Sequence, residues 1–123
     1  MASRELTAAE FHELTSGDGI VLIDFWAEWC GPCKRFAPVY ERVSEKHPDI
    51  VFGKVDTETE KALAAAAGIS SIPTLMAFRD GILVFAQPGA LPPRGLNQVL
   101  QAVRALDMDQ VRATRATQPA GAR

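Results

Sequence analysis

The sequence predicts an α/β fold, a central mixed β-sheet of four to five strands flanked by about four helices. Two apolar runs rich in β-branched and aromatic residues, 20–27 and 50–55, have the composition of strands covered on both faces, and a helical pattern separates them. Between two further apolar runs stands the pair Asp80-Gly81, the strongest short signal of an antiparallel hairpin. A parallel βαβ unit extended by this C-terminal hairpin and a last helix accounts for the order.

A short helix is predicted near the N-terminus. Thr7 and Glu10 have the spacing of a capping box, in which each side chain satisfies a backbone N–H of the first turn. The helix should run over 8–14, until the glycine-containing segment 16–19 breaks it. Only residues 3–6 remain for a strand ahead of this helix, which is why the sheet is predicted to have four or five strands.

The second helix follows the apolar run 20–27. Apolar residues recur at helical spacing after Pro32, so the helix is expected to reach about Lys46, with a kink at Pro38. The strand at 50–55 comes next.

The third helix is predicted from its two ends. Thr57 and Glu60 indicate a second capping box, and the alanines at 64–67 continue the helix. Gly68 followed by Ile69 fits a Schellman stop.

The hairpin strands are predicted at 74–78 and 82–86 and should be antiparallel. Because proline has no N–H to donate, Pro88 should end the second strand by Gln87. The last helix is predicted from an apolar stripe formed by Leu96, Val99, Leu100, Val103 and Leu106.

The chain is predicted to hold a single domain. Its 123 residues, 47% hydrophobic and 23% charged, suit one core and leave no room for a second. The domain is assigned to residues 1–106. Residues 107–123 are predicted to be a polar C-terminal tail, a frayed helix that passes into disorder, with a docking segment as the alternative.

Charge and hydropathy bear on partners and location. The net charge is -2 and the basic residues are scattered, which argues against nucleic acid and anionic membranes as partners. The first residues lack the apolar stretch of a secretory signal, and no segment approaches the roughly 20 apolar residues of a membrane span. A cytoplasmic location is therefore expected, where a lone cysteine pair is more often catalytic or metal-binding than structural.

The only two cysteines, Cys30 and Cys33, enclose Gly-Pro at the start of the second helix. Pro32 stands where a helix accepts proline without losing a hydrogen bond, and Cys33 lies one turn on, so the two sulfurs can meet. Backbone N–H groups, the helix dipole and the neighbouring Lys34 favour a thiolate on Cys30. Cys30 is predicted to be the nucleophile and Cys33 the resolving thiol.

The cysteine pair admits three other interpretations. A disulfide across so short a loop would add roughly 2 kcal/mol of stability, against about 3 kcal/mol for a 15-residue loop. As a structural disulfide it would therefore stabilise the fold only weakly. A zinc site would need four ligands, and outside the pair His12 and His47 are the only further histidine or cysteine residues. An inert buried pair would leave the Gly-Pro and the helix start unexplained.

Three segments of the chain resemble the thioredoxin family. VLIDFWAEWCGPCK resembles the family's active-site segment, SIPTLMAFRDG at 71–81 resembles its cis-proline loop and hairpin, and Gly89-Ala90 resembles the glycine loop beside them. The likeness covers about residues 5–106, and WCGPCK is highly specific within the superfamily.

The resemblance implies a thioredoxin fold and a protein-disulfide reductase that works through a mixed disulfide. It implies that the chain binds no cofactor or metal, acts as a monomer on disulfide-containing client proteins, and receives electrons from NADPH by way of thioredoxin reductase. The alternative is a thioredoxin-fold binding or chaperone-like module with an incidental redox pair. An oxidant acting outside the cytoplasm is disfavoured by the Gly-Pro between the cysteines.

Asp24 and Lys54 are the predicted supporting residues. Asp24 lies inside an apolar strand, where desolvation of the ionised carboxylate should raise its pKa. By its position alone Asp24 could instead accept structural hydrogen bonds, and Lys54 could be a strand lysine that snorkels. By resemblance Asp24 matches the family's proton acceptor for the buried cysteine, and Lys54 matches the lysine beside that acid.

The substrate-facing residues are assigned mainly by resemblance. Trp26 continues the strand and should pack in the core, whereas Trp29 lies next to Cys30 and could cover a substrate or be structural. A cis bond at Ile72-Pro73 would free the backbone of Ile72 to pair with an extended substrate segment. The full predicted set is Trp29, Gly31, Pro32, Ile72, Pro73, Gly89 and Ala90.

The loop after the hairpin departs from the family pattern. Pro88 precedes Gly89, and Pro92-Pro93 follow, so this loop should be stiffer than usual. A stiffer loop is expected to narrow the choice of partner.

Overall fold

The computed structural model describes residues 2–116 and contains a five-stranded sheet in the order β1-β3-β2-β4-β5. The elements in chain order are β1 (Ser3–Glu5), α1 (Ala8–Thr15), β2 (Ile20–Trp26), α2 (Gly31–Ser44), β3 (Val51–Asp56), α3 (Lys61–Ala66), β4 (Thr74–Arg79), β5 (Ile82–Pro88), α4 (Pro93–Ala105) and α5 (Met108–Ala116).

Strand β2 lies at the centre of the sheet. It pairs parallel with β3 and antiparallel with β4, and all its residues except the two terminal ones are buried. This burial on both faces is what its near-continuous apolar composition predicts. The predicted mixed α/β architecture is confirmed, and the number of strands is five.

The fifth strand is the short β1 at the sheet edge. Its three residues pair parallel with β3, and its first residue, Ser3, binds the carboxylate of Glu41 on α2 through its hydroxyl. The backbone N–H of Ala2 donates to the same carboxylate at 2.7 Å. A partner strand and a side-chain anchor therefore hold a segment too short to form a strand alone.

Helices cover both faces of the sheet. On one face α2 and α4 enclose a core that includes Leu22, Phe36, Tyr40, Phe52 and Leu100. On the other face α1 and α3 contribute to a second core that includes Phe11, Ile23, Phe25, Leu63 and Met76. Leu22 and Ile23 belong to different cores because successive strand residues point to opposite faces.

The two predicted capping boxes had different outcomes. At α1 the box is present, with Glu10 N–H donating to Thr7 at 3.2 Å and Thr7 N–H donating to Glu10 at 2.9 Å. At α3 the prediction is wrong: the helix begins at Lys61, and Glu60 makes no side-chain cap bond. The hydroxyl of Thr57 donates instead to the carbonyl of Trp26 at 3.1 Å, because the end of β2 lies beside it.

The Schellman stop of α3 is confirmed. Gly68 N–H donates to Ala65 and Ile69 N–H donates to Ala64, the two crossed bonds of this motif, and Gly68 has a φ of 72°. The last carbonyls of the helix are thereby satisfied within the loop.

Strand β5 runs one residue further than predicted, since it includes Pro88, which pairs with Thr74. β5 is an edge strand with β4 as its neighbour, so the missing N–H of Pro88 leaves no second strand unsatisfied. The hairpin turn is as predicted: Asp80 and Gly81 have φ values of 52° and 82°, as a type I′ turn requires.

The segment after α4 forms a helix, α5, in which Met108 is 7% exposed. The guanidinium of Arg79 donates to the carbonyls of Val103, Arg104 and Leu106 at 2.9, 3.2 and 3.0 Å, just before α5 begins. The predicted disorder of the tail falls on residues 117–123, which lie outside the described residues. Within residues 2–116 no helix has the length and apolar content needed to cross a membrane.

Candidate active site

Cys30 and Cys33 lie where the loop after β2 enters α2. Cys30 is the N-cap of the helix, and its sulfur accepts a hydrogen bond from the N–H of Cys33 at 3.2 Å. The two residues form a disulfide, with their Cα atoms 5.2 Å apart. Gly31 and Pro32 occupy the first turn, where Pro32 lacks only an N–H that the helix would not use. A sulfur at an N-cap faces the positive end of the helix dipole, which favours its thiolate form.

The loop before β4 lies opposite the cysteines. The Ile72–Pro73 peptide bond is cis, and the Ile72 carbonyl oxygen lies 3.7 Å from the sulfur of Cys30. Gly89 N–H donates to the Pro73 carbonyl at 2.7 Å, which brings the loop after β5 alongside. The structure therefore brings together three segments that are far apart in the sequence: 30–33, 72–73 and 89–90.

Solvent exposure differs sharply between the cysteine pair and the residues next to it. The side chains of Cys30 and Cys33 are 3% and 2% exposed, whereas Trp29 is 69% exposed. The indole N–H of Trp29 donates to the carboxylate of Glu58 at 3.4 Å, and Ala90 is exposed. An aromatic side chain thus stands on the surface directly beside two sheltered sulfurs.

Asp24 lies in the sheet on the face that α2 covers, and it is 1% exposed. Its two carboxylate oxygens accept no hydrogen bond from the described residues. Burial raises the pKa of Asp24 to about 7, with Lys54 acting in the opposite direction and Glu5 in the same direction. The raised pKa predicted from the sequence is confirmed, and the interpretation of Asp24 as a structural hydrogen-bond acceptor has no partner to support it.

Lys54 and Tyr40 lie near Asp24. Lys54 pairs with Asp24 across β2 and β3, and its ammonium lies 4.7 Å from the ring centroid of Trp26. Trp26 is half-buried and packs against the cysteine cluster. The hydroxyl of Tyr40 donates to the Gly53 carbonyl at 2.8 Å, and burial together with the nearby Asp24 raises the pKa of Tyr40.

Two residues of this region were missed by the sequence analysis, Glu5 and Glu58. Glu58 belongs to the loop after β3 and reaches the site through the Trp29 indole. Glu5 reaches it through strand pairing, since it stands opposite Lys54. No sequence signal marks either residue, because both depend on which strands are neighbours.

No group of three or more His, Cys, Asp or Glu side chains among residues 2–116 is arranged to hold a metal ion. A cysteine pair that closes a disulfide at a helix N-terminus can accept or give up two electrons by thiol–disulfide exchange. The fold and the site therefore define a dithiol–disulfide oxidoreductase.

Comparisons with known proteins agree with this class. The family model described as thioredoxin matches residues 2–102. A relative named putative thioredoxin 2, from Streptomyces coelicolor, is 58% identical over 118 residues, which are 96% of this chain and 88% of the relative. The chain belongs to the thioredoxin family. Its predicted function as a protein-disulfide oxidoreductase is confirmed, and the alternative of a binding or chaperone-like module is not supported.

Solved structures confirm the fold. A mutant thioredoxin from Halobacterium salinarum matches with a TM-score of 0.77 at 33% identity, over 85% of this chain and 92% of that one. Thioredoxin F from spinach chloroplast also gives a TM-score of 0.77, at 34% identity, over 85% of this chain and 95% of that one. The predicted thioredoxin fold is therefore confirmed.

Proposed function

We propose that Cys30 is the nucleophile and Cys33 the resolving thiol of the reduction. The Cys30 thiolate attacks one sulfur of a client disulfide, a Cys30–client bond forms, and the client's other sulfur leaves as a thiolate. The Cys33 thiolate then attacks Cys30, which releases the second client thiolate and leaves Cys30–Cys33 oxidised. Two electrons pass to the client, and each released thiolate takes a proton.

One observation carries this assignment. The Cys30 sulfur stands at the N-cap of α2, accepts the Cys33 N–H at 3.2 Å and faces the Ile72 carbonyl at 3.7 Å. A thiolate at this position has a donor to stabilise it, and an extended client segment pairing with the backbone of Ile72 would bring its own sulfur alongside.

Asp24 is the proton acceptor for Cys33 in this proposal, and Lys54 moderates its charge. A carboxyl with a pKa of about 7 is half ionised at neutral pH, so it can both take and return a proton there. Because α2 carries Cys33 and covers the face of the sheet on which Asp24 lies, the two groups belong to the same region of the molecule.

The client segment is proposed to cross the surface between Trp29 and the loop after β5. Ile72 and Pro73 would offer backbone groups to it, and the small residues Gly89 and Ala90 would admit its main chain. Gly31 and Pro32 would complete the surface above the sulfurs.

The electron donor is proposed to be NADPH, acting through thioredoxin reductase, and the chain itself is proposed to bind no cofactor. NADPH consumption in a mixture of the chain, a thioredoxin reductase and insulin tests this assignment.

We further propose that the protein is a monomer and works in the cytoplasm. Light scattering measures the oligomeric state, and cell fractionation measures the location.

Replacement of Cys33 tests the two thiol roles. Cys33→Ser removes the resolving thiol, so a mixed disulfide between Cys30 and a client should accumulate and appear as a dithiothreitol-sensitive band on a non-reducing gel. Cys30→Ser is the matched control, with one thiol removed from the same site, and it should trap at most a small fraction of that amount. Stronger trapping by Cys30→Ser than by Cys33→Ser would reverse the roles assigned.

A further inference from the structure

Three charged residues stand in one row across neighbouring strands. In the parallel pairing, Glu5 of β1 lies opposite Lys54 of β3, and Lys54 lies opposite Asp24 of β2. Paired residues of adjacent strands project from the same face of a sheet. The row therefore alternates in sign, acid, base, acid, from the edge of the sheet to its centre.

The row also runs from solvent to the interior. Glu5 is exposed on the edge strand, Lys54 is half-buried, and Asp24 is fully buried. The Lys54 ammonium is in addition held over the Trp26 ring, at 4.7 Å from its centroid. In the strand pairing, a basic residue thus stands between two acidic residues, of which only the outer one, Glu5, is exposed.

The groups that face Asp24 are few. Lys54 comes from β3, Glu5 from β1 and the Tyr40 hydroxyl from α2, while Leu75, its partner on β4, is apolar. Burial raises the pKa of Asp24, Lys54 lowers it and Glu5 raises it. Although Glu5 as a whole residue is exposed, partial desolvation of its carboxyl group raises its pKa; Lys54 and the Trp26 side chain oppose that rise, and Asp56 adds to it.

We propose that Glu5 is a positioning residue of this site: it competes with Asp24 for the ammonium of Lys54 and so sets how readily the buried carboxyl takes up and releases a proton. The consequence for the reaction rests on the proposed role of Asp24 as proton acceptor. A carboxylate at the edge of the sheet then tunes a carboxyl two strands away, without touching client or cysteine.

The direct test is the titration of the Asp24 carboxyl carbon by NMR in the oxidised protein, where neither cysteine titrates. Glu5→Gln keeps the size of the side chain and removes its charge. Two strand spacings separate the backbones by about 9.6 Å, so the loss of direct repulsion alone would lower the Asp24 midpoint by roughly 0.3 to 0.6 pH unit at an effective dielectric constant of ~40 to 80. Because the competition also frees the Lys54 ammonium for Asp24, the midpoint should fall by more than this direct contribution.

Glu13→Gln is the matched control. It makes the same change in side chain and in net charge, at an exposed position on α1, which packs on the opposite face of the sheet. The Asp24 midpoint should stay within experimental error in this variant. An unchanged midpoint in Glu5→Gln, or an equal shift in both variants, would overturn the proposal.

A second background separates competition for Lys54 from direct repulsion. In Lys54→Gln the ammonium is absent, so adding Glu5→Gln should move the Asp24 midpoint only by the direct contribution, which is smaller than the shift in the wild type. An undiminished shift would show that Glu5 acts on Asp24 without Lys54, and the proposed competition would be wrong.

The pH profile of mixed-disulfide resolution distinguishes this inference from the proposed function. If the Asp24 midpoint and the rate profile both move to lower pH in Glu5→Gln, the two proposals stand together. If the midpoint moves and the rate profile stays, the coupling of Glu5 to Asp24 stands and the role of Asp24 as proton acceptor fails.

Discussion

Asp24 is a carboxyl group held where its ionised form is costly. It is buried, no described residue donates to its oxygens, and its pKa is raised by burial to about 7 from a value of 3.8 in the absence of the fold. Between about pH 4 and pH 7 the folded state therefore binds a proton that the unfolded state does not. The free energy of unfolding falls as the pH rises through this window. Above the window the full loss from ionising Asp24, about 4 kcal/mol, is present.

Asp24→Asn should therefore be a stabilising change with a strong pH dependence. At about pH 8 we expect the free energy of unfolding to increase by up to about 4 kcal/mol, because no charge is buried in the variant. At about pH 4 the wild-type carboxyl is already neutral and the gain should nearly vanish. Urea unfolding of the oxidised proteins at both pH values measures this.

Asp18→Asn provides a control for Asp24→Asn, since Asp18 is exposed in the loop before β2. This variant should show no comparable gain at the higher pH. Equal gains for Asp24→Asn at both pH values would contradict a penalty that arises from ionisation.

Among individual residues, the sequence predicted those whose chemical role can be inferred from a short segment around them. A cysteine pair around Gly-Pro and an acid inside an apolar strand can each be recognised from their neighbours in the chain. Glu5 and Glu58 could not be, because an acid in a polar segment is ordinary until strand register or an indole contact gives it a partner.

The hairpin between β4 and β5 is the element most directly specified by two residues. Asp80 and Gly81 both have positive φ, and the N–H of Gly19 donates to the Asp80 carboxylate at 2.9 Å. A Cβ on Gly81 would stand 3.1 Å from the carbonyl oxygen of Ser16. Both the backbone conformation and the close approach of another loop therefore require glycine at this position.

Gly81→Ala should lower the free energy of unfolding by about 1–2 kcal/mol, from the left-handed backbone conformation and the contact with Ser16. Gly17→Ala is the matched control, because its added Cβ would meet nothing closer than 3.7 Å and its φ is not positive. The control should change stability by no more than about 0.5 kcal/mol in either direction. Equal losses in the two variants, measured by urea unfolding, would rule out a specific need for glycine in the turn.

Local signals predicted an element well where nothing else competed for the residues involved. The box at Thr7 and the stop at Gly68 involve only groups of their own helix ends, and both formed. The box at Thr57 failed because the Trp26 carbonyl, distant in sequence, takes the hydroxyl. The end of β5 was misjudged by one residue because the rule against proline applies less to an edge strand.

On the scale of the whole molecule, the segment after α4 bears on where the domain ends. The family model matches as far as residue 102, and we propose a domain of residues 1–106 followed by a dispensable flank. Met108 is nevertheless buried, and Arg79 holds the end of α4 through three carbonyls directly before it. The flank should therefore add to stability without being needed for the fold.

A chain ending at Leu106 should fold and keep its activity. Loss of the Met108 contacts should cost about 1–3 kcal/mol of stability, whereas the rate of insulin reduction with NADPH and a thioredoxin reductase should stay within about twofold of the full chain. Met108→Ala in the full chain separates this side chain from the rest of the flank. An unfolded or inactive shortened chain would place the domain boundary beyond residue 106.

The near-complete burial of Cys30 and Cys33 has a consequence for the clients. Neither sulfur can travel outward to a disulfide that is locked inside a compact partner. The partner must instead present a loose, extended stretch of its own chain, and such stretches appear through transient local opening. The order in which different clients are reduced then depends in part on how often each client unfolds locally around its disulfide. That frequency is determined by the client's sequence and not by the sequence of this chain.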